Sequence, residues 1–390
     1  MSDRAWITGL GVVSPAGWTA EDTWHRVMGA IPCGRPVQRF PLYEAPAKFG
    51  APVPGYELAA PADVSLAITF AESALAEALG EAGLTPYVDI VDVALVCTHG
   101  ERQLPGPGRG PLLAHVQDVV DSVRKGSGAA RASSVYGACA SGALVVGSAV
   151  KLIESGQADV VVAGGADSML REVDFFSFCS LYAMTVRDCE PEQACCPFDA
   201  RRDGFLMAEG AAFVVVESQR HARARGADPL AVVDGFGSAQ NAYHSVASPP
   251  DALGPSYAMS RALADAKLNP ADIDYINAHG TSTRDNDWCE TLAIRKAFGP
   301  AAEEVPISSS KGVLGHTMAP AGTIETILCV KALRDGIAPP TANLEVRDPA
   351  CDLDYIPKVL RELPLNHIMT NSFGFGGHNA SLILGKVTAR

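Results

Sequence analysis

Long apolar runs are missing from this chain of 390 residues, since none reaches the roughly 18 residues that a membrane-spanning helix needs. The N-terminal residues Met1–Arg4 lead directly into a strand pattern, without the basic and apolar segments of a signal peptide. We therefore expect a cytoplasmic protein that has no membrane partner.

Paired cysteine motifs are also missing, because none of the ten cysteines stands in a C-x-x-C arrangement. The chain is too long for a secreted module held by disulfides, so most cysteines should be reduced core residues. Cys189, Cys195 and Cys196 form a local cluster, but it has no neighbouring histidine and no ligand spacing. We expect no metal.

Basic residues are fewer than acidic ones, 31 against 44, which gives a formal net charge of −13. This charge argues against nucleic acid as a partner. The chain exceeds the size at which one hydrophobic core usually keeps growing, and 47% of its residues are apolar. Two domains or one large composite fold are expected.

Apolar strands alternate with helical patterns along the chain, which predicts an α/β fold with buried sheets. Val91–Cys97 is a strand of this kind, and Glu21–Met28 and Ala67–Leu84 have helical spacing. Strand patterns that end in Gly-x-Gly open both Ala5–Pro15 and Pro229–Ser238. We infer an internal duplication with halves 1–228 and 229–390.

Cys139 stands in the segment Ser134–Gly142, where a strand pattern gives way to the apolar helical run Ala143–Ile153. A thiol at the positive end of a helix dipole has a lowered pKa and favours the thiolate. This position predicts a nucleophile, although a free cysteine is also commonly a small buried hydrophobic residue.

Three further segments accompany Cys139: His279 in a His-Gly-Thr-Ser-Thr run, Lys311 and His316 in Lys-Gly-Val-Leu-Gly-His, and the glycine-rich run Asn371–Asn379. Together the four segments resemble those of the β-ketoacyl-[acyl carrier protein] synthases, members of the thiolase superfamily, and within them the type II ketosynthases that are similar to β-ketoacyl synthases I and II. Cys139 and His279 are 140 residues apart, and Lys311 follows 32 residues later, which suits the layout of that family.

The resemblance implies a thiolase-like layered αβαβα fold built from two pseudo-duplicated halves. It also implies a decarboxylative Claisen condensation, in which Cys139 takes an acyl chain from acyl carrier protein and the acyl-enzyme condenses with malonyl carrier protein. No cofactor is expected beyond the phosphopantetheine that carries the substrates.

The resemblance also assigns roles to individual residues. The backbone N–H groups of Cys139 and Phe375 would stabilise the oxyanion, and His279 and His316 would serve the decarboxylating half-reaction. Lys311 would orient His316, with Glu325 as its counter-ion.

Other matching positions concern the substrate. Thr281 and Thr283 would bind the pantetheine arm, Phe375 would gate the site, and Phe373 would form the pocket wall or core. Glu325 is also counted with the substrate-binding residues.

Departures from the family pattern point to a specialised pathway, such as polyketide or polyene synthesis, rather than to housekeeping fatty acid synthesis. Asn241 and Val246 replace an acid and a hydroxyl residue, so one pantetheine contact is expected to be absent. Tyr136 and Gly137 precede the cysteine where Ser or Thr is commoner in the family. The segment between Cys97 and Cys139 is short, which leaves substrate size open.

Two other functions stay open. One is an acyltransferase that uses an amine or alcohol as acceptor, and the other is a chain-length-factor-type partner subunit of a heterodimer. The resemblance implies a homodimer or a heterodimer with a second ketosynthase-like subunit, and Ala158–Ala166 is a candidate contact edge. Basic residues could bind the acidic carrier protein, and the candidates are Arg124, Lys125, Arg131, Arg201 and Arg202.

Overall fold

The computed structural model describes residues 3–58, 64–85, 90–103 and 112–387. Within them the chain forms sixteen strands: β1 (Ala5–Val13), β2 (Arg35–Pro36), β3 (Phe49–Gly50), β4 (Val93–Cys97), β5 (Glu101–Arg102), β6 (Leu112–Ala114), β7 (Arg131–Ser134), β8 (Val160–Asp167), β9 (Gly210–Ser218), β10 (Ala231–Gln240), β11 (Tyr275–Asn277), β12 (Ile307–Ser308), β13 (Ile337–Ala338), β14 (Arg361–Glu362), β15 (His367–Gly374) and β16 (His378–Gly385).

The same residues form ten α-helices: α1 (Ala20–Met28), α2 (Leu66–Ala82), α3 (Val116–Ser127), α4 (Ser141–Glu154), α5 (Glu172–Ser180), α6 (Gln219–Ala224), α7 (Leu253–Ala266), α8 (Arg284–Phe298), α9 (Lys311–Leu314) and α10 (Ala321–Asp335). The helices predicted from residues 21, 67 and 143 onward correspond to α1, α2 and α4. Gly83 ends α2 in the left-handed conformation, with φ 66°, that a residue without Cβ adopts readily.

Ten of the strands form one sheet in the order β12-β11-β15-β16-β10-β1-β9-β8-β4-β7. The sheet consists of two sets of five strands, β1, β4, β7, β8, β9 and β10, β11, β12, β15, β16. From the outer edge inward, each set has its third strand in chain order first, followed by its second, fourth, fifth and first strands. The two sets join where β1 pairs with β10, at Trp6 opposite Val232 and Ile7 opposite Ala231. This shared order confirms the predicted fold of two pseudo-duplicated halves, whereas the boundary at residues 228 and 229 stays a prediction.

Helices α4 and α10 pack against each other and against strands of both halves, so they lie between the two halves of the sheet. Both are buried around most of their circumference, as a central helix must be. Helices α2 and α3 cover the outer face of the first half, and α7 and α8 pack together over the outer face of the second. The result is the predicted αβαβα layering.

The predicted contact edge was wrong. Strand β8 pairs with β4 on one side and with β9 on the other, so it has no free edge. Its eight residues are all buried, since a continuous apolar run is typical of an interior strand. The outer position in this half belongs to β7, which is largely exposed. Among the described residues, no helix is both long and apolar enough to cross a membrane.

Candidate active site

Cys139 lies in a tight turn between β7 and α4. The turn is a single 3₁₀ segment, Ala138–Ala140, and Ala138 has a positive φ of 48°. Ser141 stabilises it, because its Oγ accepts a hydrogen bond from the N–H of Gly137 at 2.8 Å and donates to the carbonyl of Ala138 at 2.6 Å. A strained backbone that its surroundings hold in place is common at functional sites. The turn presents the thiol at the amino end of the central helix layer.

The thiol of Cys139 does not have the lowered pKa that its position at a helix N-terminus predicted. Burial raises the pKa to about 11, although the charge of Lys311 and the backbone N–H of Phe375 both lower it. Cys139 is 8% exposed, so the cost of burying a thiolate outweighs the favourable groups around it. At neutral pH the unliganded protein therefore carries a thiol.

The glycine-rich run brings Phe375 to the nucleophile. It connects β15 to β16 through the turn Phe375–Gly377, in which Gly376 and Gly377 have φ values of 76° and 82°. Gly374 packs against the cysteine turn so closely that a Cβ there would lie 3.0 Å from the backbone nitrogen of Cys139. The absence of a side chain thus lets the Phe375 N–H reach the sulfur.

His279 and His316 face each other, with ring centroids 5.4 Å apart and an interplanar angle of 82°. His279 lies between β11 and α8 and His316 lies between α9 and α10, so two separate connections supply the pair. Burial, and after it the charge of Lys311, holds the pKa of each imidazole well below its ordinary value. Both rings are therefore neutral at physiological pH.

The hydrogen bonds of the two rings determine which nitrogen carries the proton. The Lys311 ammonium, which can only donate, lies 3.3 Å from Nδ1 of His279. The backbone N–H of Met318 donates to Nδ1 of His316 at 3.3 Å. Each Nδ1 is thus an acceptor, which leaves the proton on Nε2. Among the described residues, the buried Nε2 of His316 has no hydrogen-bond partner.

Lys311 is paired differently from the sequence expectation. Its ammonium hydrogen-bonds His279, whereas the resemblance assigned it to orienting His316. Its other partner is the predicted one, since it forms a buried ion pair with Glu325. Burial raises the pKa of Glu325 to about 7, although Lys311 lowers it. Lys311 therefore acts directly on the first histidine and on the second only through its charge.

A cavity of about 300 Å³ adjoins Cys139, His279 and His316. Among the described residues, the predicted ones that line it are Cys139, His279, Thr281, Thr283, His316, Phe373 and Phe375. Glu325 was also predicted to contact substrate, but the cavity lining does not include it, because it lies behind Lys311. Thr281 and Thr283 hydrogen-bond each other through their hydroxyls at 2.8 Å.

Two residues of the site carried no role in the sequence analysis. Glu290 accepts hydrogen bonds from the backbone N–H groups of His279 and Gly280, at 2.9 and 2.8 Å, and so holds the first histidine. Phe205 packs edge-on against His316, with centroids 5.5 Å apart, and lines the cavity. Glu290 lies 11 residues after His279, on α8, a separation that signals a contact only once the turn between strand and helix is known.

The expectation that Arg202 is a surface residue for carrier binding was wrong. Arg202 is 3% exposed and pairs with Asp287 and Asp348. Arg201 is exposed, but its guanidinium pairs with Asp199 and Glu345. The two arginines form ion pairs that connect neighbouring loops, and the positive charge of the segment did not predict these pairs. The other candidates, Arg124, Lys125 and Arg131, are exposed as well.

All ten cysteines lie within the described residues and are unpaired, and nine of them are buried. This confirms that most are reduced core residues. The described part of the chain has no group of three or more histidine, cysteine or acidic residues placed to hold a metal ion.

Comparison with known proteins gives consistent matches. The family described as "Beta-ketoacyl synthase, N-terminal domain" matches residues 129–222, and "Beta-ketoacyl synthase, C-terminal domain" matches residues 230–345. The 3-oxoacyl-[acyl-carrier-protein] synthase 2 of Coxiella burnetii is 36% identical, over 98% of this chain and 99% of that protein.

Two solved structures are also similar. One is a type II PKS acyl-carrier protein in complex with its ketosynthase bound to the hexaketide, with a TM-score of 0.88 and 29% identity over 99% of this chain and 100% of that chain. The other is the ishigamide ketosynthase/chain length factor, with a TM-score of 0.87 and 30% identity over 100% of each chain.

Proposed function

Because the chain belongs to the β-ketoacyl synthase family, we propose that it is an acyltransferase that condenses a Cys139-bound acyl chain with malonyl carrier protein. The product would be a β-ketoacyl thioester that is two carbons longer than the acyl chain. One observation carries the proposal: two neutral imidazoles with Nε2 protons share a buried cavity with a cysteine, and one of these nitrogens has no partner among the described residues.

In the first half-reaction, the sulfur of Cys139 attacks the carbonyl carbon of a carrier-bound thioester. The new carbon–sulfur bond replaces the bond to the carrier, whose pantetheine thiol leaves with a proton. Negative charge develops on the carbonyl oxygen, and preorganised N–H groups lower the energy of that state. The backbone N–H of Phe375, already directed at the sulfur, is one such donor, and the N–H of Cys139 would be the other.

In the second half-reaction, malonyl thioester loses carbon dioxide and leaves an enolate. The Nε2–H groups of His279 and His316 would donate to this enolate oxygen, and the enolate carbon would then attack the acyl carbonyl carbon on Cys139. The carbon–sulfur bond would break as the new carbon–carbon bond forms, and Cys139 would leave as a thiolate that takes a proton from solvent. Neutral donors suit this role, because no proton needs to move when charge develops on the oxygen. The Lys311 charge supports the same state, since the ammonium lies against His279.

Acyl carrier protein is the proposed partner, because a similar structure contains a ketosynthase in complex with its carrier protein. The pantetheine arm would reach Cys139 along Thr281 and Thr283, and the reaction would need no other cofactor. We propose a dimer, either with a second copy or with a ketosynthase-like subunit as in the similar ketosynthase/chain length factor. The unpaired cysteines suit the reducing cytoplasm.

The test separates the two half-reactions. We expect an acyl adduct on Cys139 by intact-protein mass spectrometry after incubation with acyl carrier thioester, and release of carbon dioxide from malonyl carrier protein. Cys139→Ser should abolish the adduct, and His279→Ala should abolish carbon dioxide release while the adduct still forms. Cys33→Ser, a change at a buried cysteine outside the cavity, is the matched control.

The alternatives give different outcomes in this test. An acyltransferase to an amine or alcohol would form the adduct without releasing carbon dioxide from malonyl carrier protein. A chain-length-factor-type subunit would form no adduct by itself, and the present cysteine, histidines and lysine speak against it. Absence of an adduct on the wild-type chain, alone or with a partner subunit, would refute the proposed condensation.

A further inference from the structure

A buried carboxylate lies beside the active site but outside the residues assigned above. Asp167 is the last residue of β8 and is fully buried. Its Oδ2 accepts a hydrogen bond from the backbone N–H of Ala319 at 2.8 Å and contacts Nδ1 of His99 at 2.8 Å. Its Oδ1 accepts from the backbone N–H of His99 at 2.8 Å. The carboxylate thus joins the end of one sheet half to the segment that precedes α10.

That segment holds His316. Met318 has a φ of 62°, a left-handed conformation that is costly for a residue with a side chain. Its N–H is the donor to Nδ1 of His316, and the next N–H in the chain, that of Ala319, is the donor to Asp167. The strained turn therefore has one hydrogen bond to the catalytic ring and one to the buried carboxylate. Without the second bond, the turn could relax and withdraw the first.

We propose that Asp167, supported by His99, is a positioning residue that keeps the Met318 N–H on Nδ1 of His316 and thereby keeps the proton of that ring on Nε2. This inference rests on the proposed condensation, because it assigns the Nε2–H of His316 to the enolate. Asp167 touches neither substrate nor the reacting atoms in this assignment. It acts through two consecutive backbone N–H groups.

His99 completes the arrangement. It follows β4 by two residues, and β4 pairs in parallel with β8, so the carboxyl ends of neighbouring strands bring His99 and Asp167 together. Burial lowers the pKa of His99, but the charge and hydrogen bond of Asp167 outweigh burial and raise it above its ordinary value. The charge of His99 in turn helps to lower the pKa of His316, after burial and Lys311. The pair is therefore electrostatically coupled to the ring that it positions.

The first variant is Asp167→Asn, which keeps the size of the side chain and removes its charge. We expect carbon dioxide release from malonyl carrier protein to fall about 10- to 100-fold, by analogy with the loss seen when a residue that orients a metal-bound histidine is removed. Formation of the acyl adduct on Cys139 should stay within about threefold, because it relies on backbone donors. Asp92→Asn is the matched control, since Asp92 accepts two backbone N–H bonds, at 2.7 and 3.0 Å, at the opposite end of β8.

A second readout does not depend on activity. In ¹⁵N-histidine spectra, the His316 signal, assigned by its loss in His316→Asn, should show the Nε2–H form in wild type and a mixture of tautomers in Asp167→Asn. If that variant does not fold, His99→Asn replaces it, with a smaller expected loss, because Asp167 keeps the hydrogen bond from the Ala319 N–H. An unchanged tautomer together with an unchanged rate of carbon dioxide release would overturn the inference. Absence of carbon dioxide release from the wild type would instead refute the condensation. In that case an unchanged His316 tautomer in Asp167→Asn would by itself overturn the positioning role.

Discussion

The close approach of Gly374 to the nucleophile turn makes a sharp prediction for Gly374→Ala. The added Cβ would lie 2.5 Å from the carbonyl oxygen of Gly137 and 3.0 Å from the backbone nitrogens of Cys139 and Ala140. All three atoms belong to the backbone, so no flexible side chain can move aside. The glycine-rich run must shift away from the turn by about 0.9 Å to restore ordinary van der Waals contact with the oxygen.

This shift carries the Phe375 N–H with it, because Phe375 is the next residue. A displacement of this size lengthens the hydrogen bond to the Cys139 sulfur beyond a useful distance and misplaces one donor to the developing oxyanion. Loss of one such donor lowers the rate by roughly 100- to 1,000-fold. The pKa of Cys139 should also rise, since the Phe375 N–H is one of the groups that lower it.

The assay is the rate at which a small acyl thioester that needs no carrier docking acylates Cys139, followed by intact-protein mass spectrometry. Gly80→Ala is the control: it makes the same change in helix α2, where a Cβ would have no atom within 4 Å. Circular dichroism and the unfolding midpoint should confirm that both variants are folded. A folded Gly374→Ala protein that acylates at the wild-type rate would show that the Phe375 N–H does not stabilise the transition state.

Two further predictions concern burial. Because the pKa of Cys139 is about 11, its alkylation by iodoacetamide should accelerate about tenfold for each pH unit between pH 7 and 9, and a plateau below pH 8 would contradict the buried thiol. Arg202→Ala should lower the free energy of unfolding in urea by about 3 to 5 kcal/mol, because it leaves the buried Asp287 unpaired. The exposed Arg220→Ala should leave the urea midpoint nearly unchanged, and equal effects of the two changes would refute the buried-pair argument.

Much of the fold could be predicted from the sequence, because apolar strands and helices leave periodic patterns along the chain. The two openings at Ala5 and Pro229 predicted repeated halves, and the strand order bears this out. The contact edge at Ala158–Ala166 was mispredicted, since periodicity describes how buried a strand is but not its position in the sheet. Strand pairing joins residues far apart in the chain, such as β8 with β4, and composition carries little information about it.

For the candidate site, too, the sequence predicted some features and not others. The four motifs predicted which side chains meet, and the structure places Cys139, His279 and His316 on one cavity. The roles of these residues stay predictions. The motifs did not predict the hydrogen bond between Lys311 and His279, the buried pairs of Arg202 or the contribution of Asp167, because each of these depends on a contact with a distant segment.

The sequence by itself determined which chemical groups the protein possesses and the order in which they follow one another: a cysteine ahead of an apolar helix, two histidines, a lysine and a glycine-rich run. Only the tertiary structure decided the protonation state of these groups. Burial makes the Cys139 thiol harder to ionise and keeps His279 and His316 neutral, and hydrogen bonds from Lys311 and Met318 put the ring protons on Nε2. Protonation depends on solvent exclusion and on nearby charges, and both come from parts of the chain that meet only when it folds.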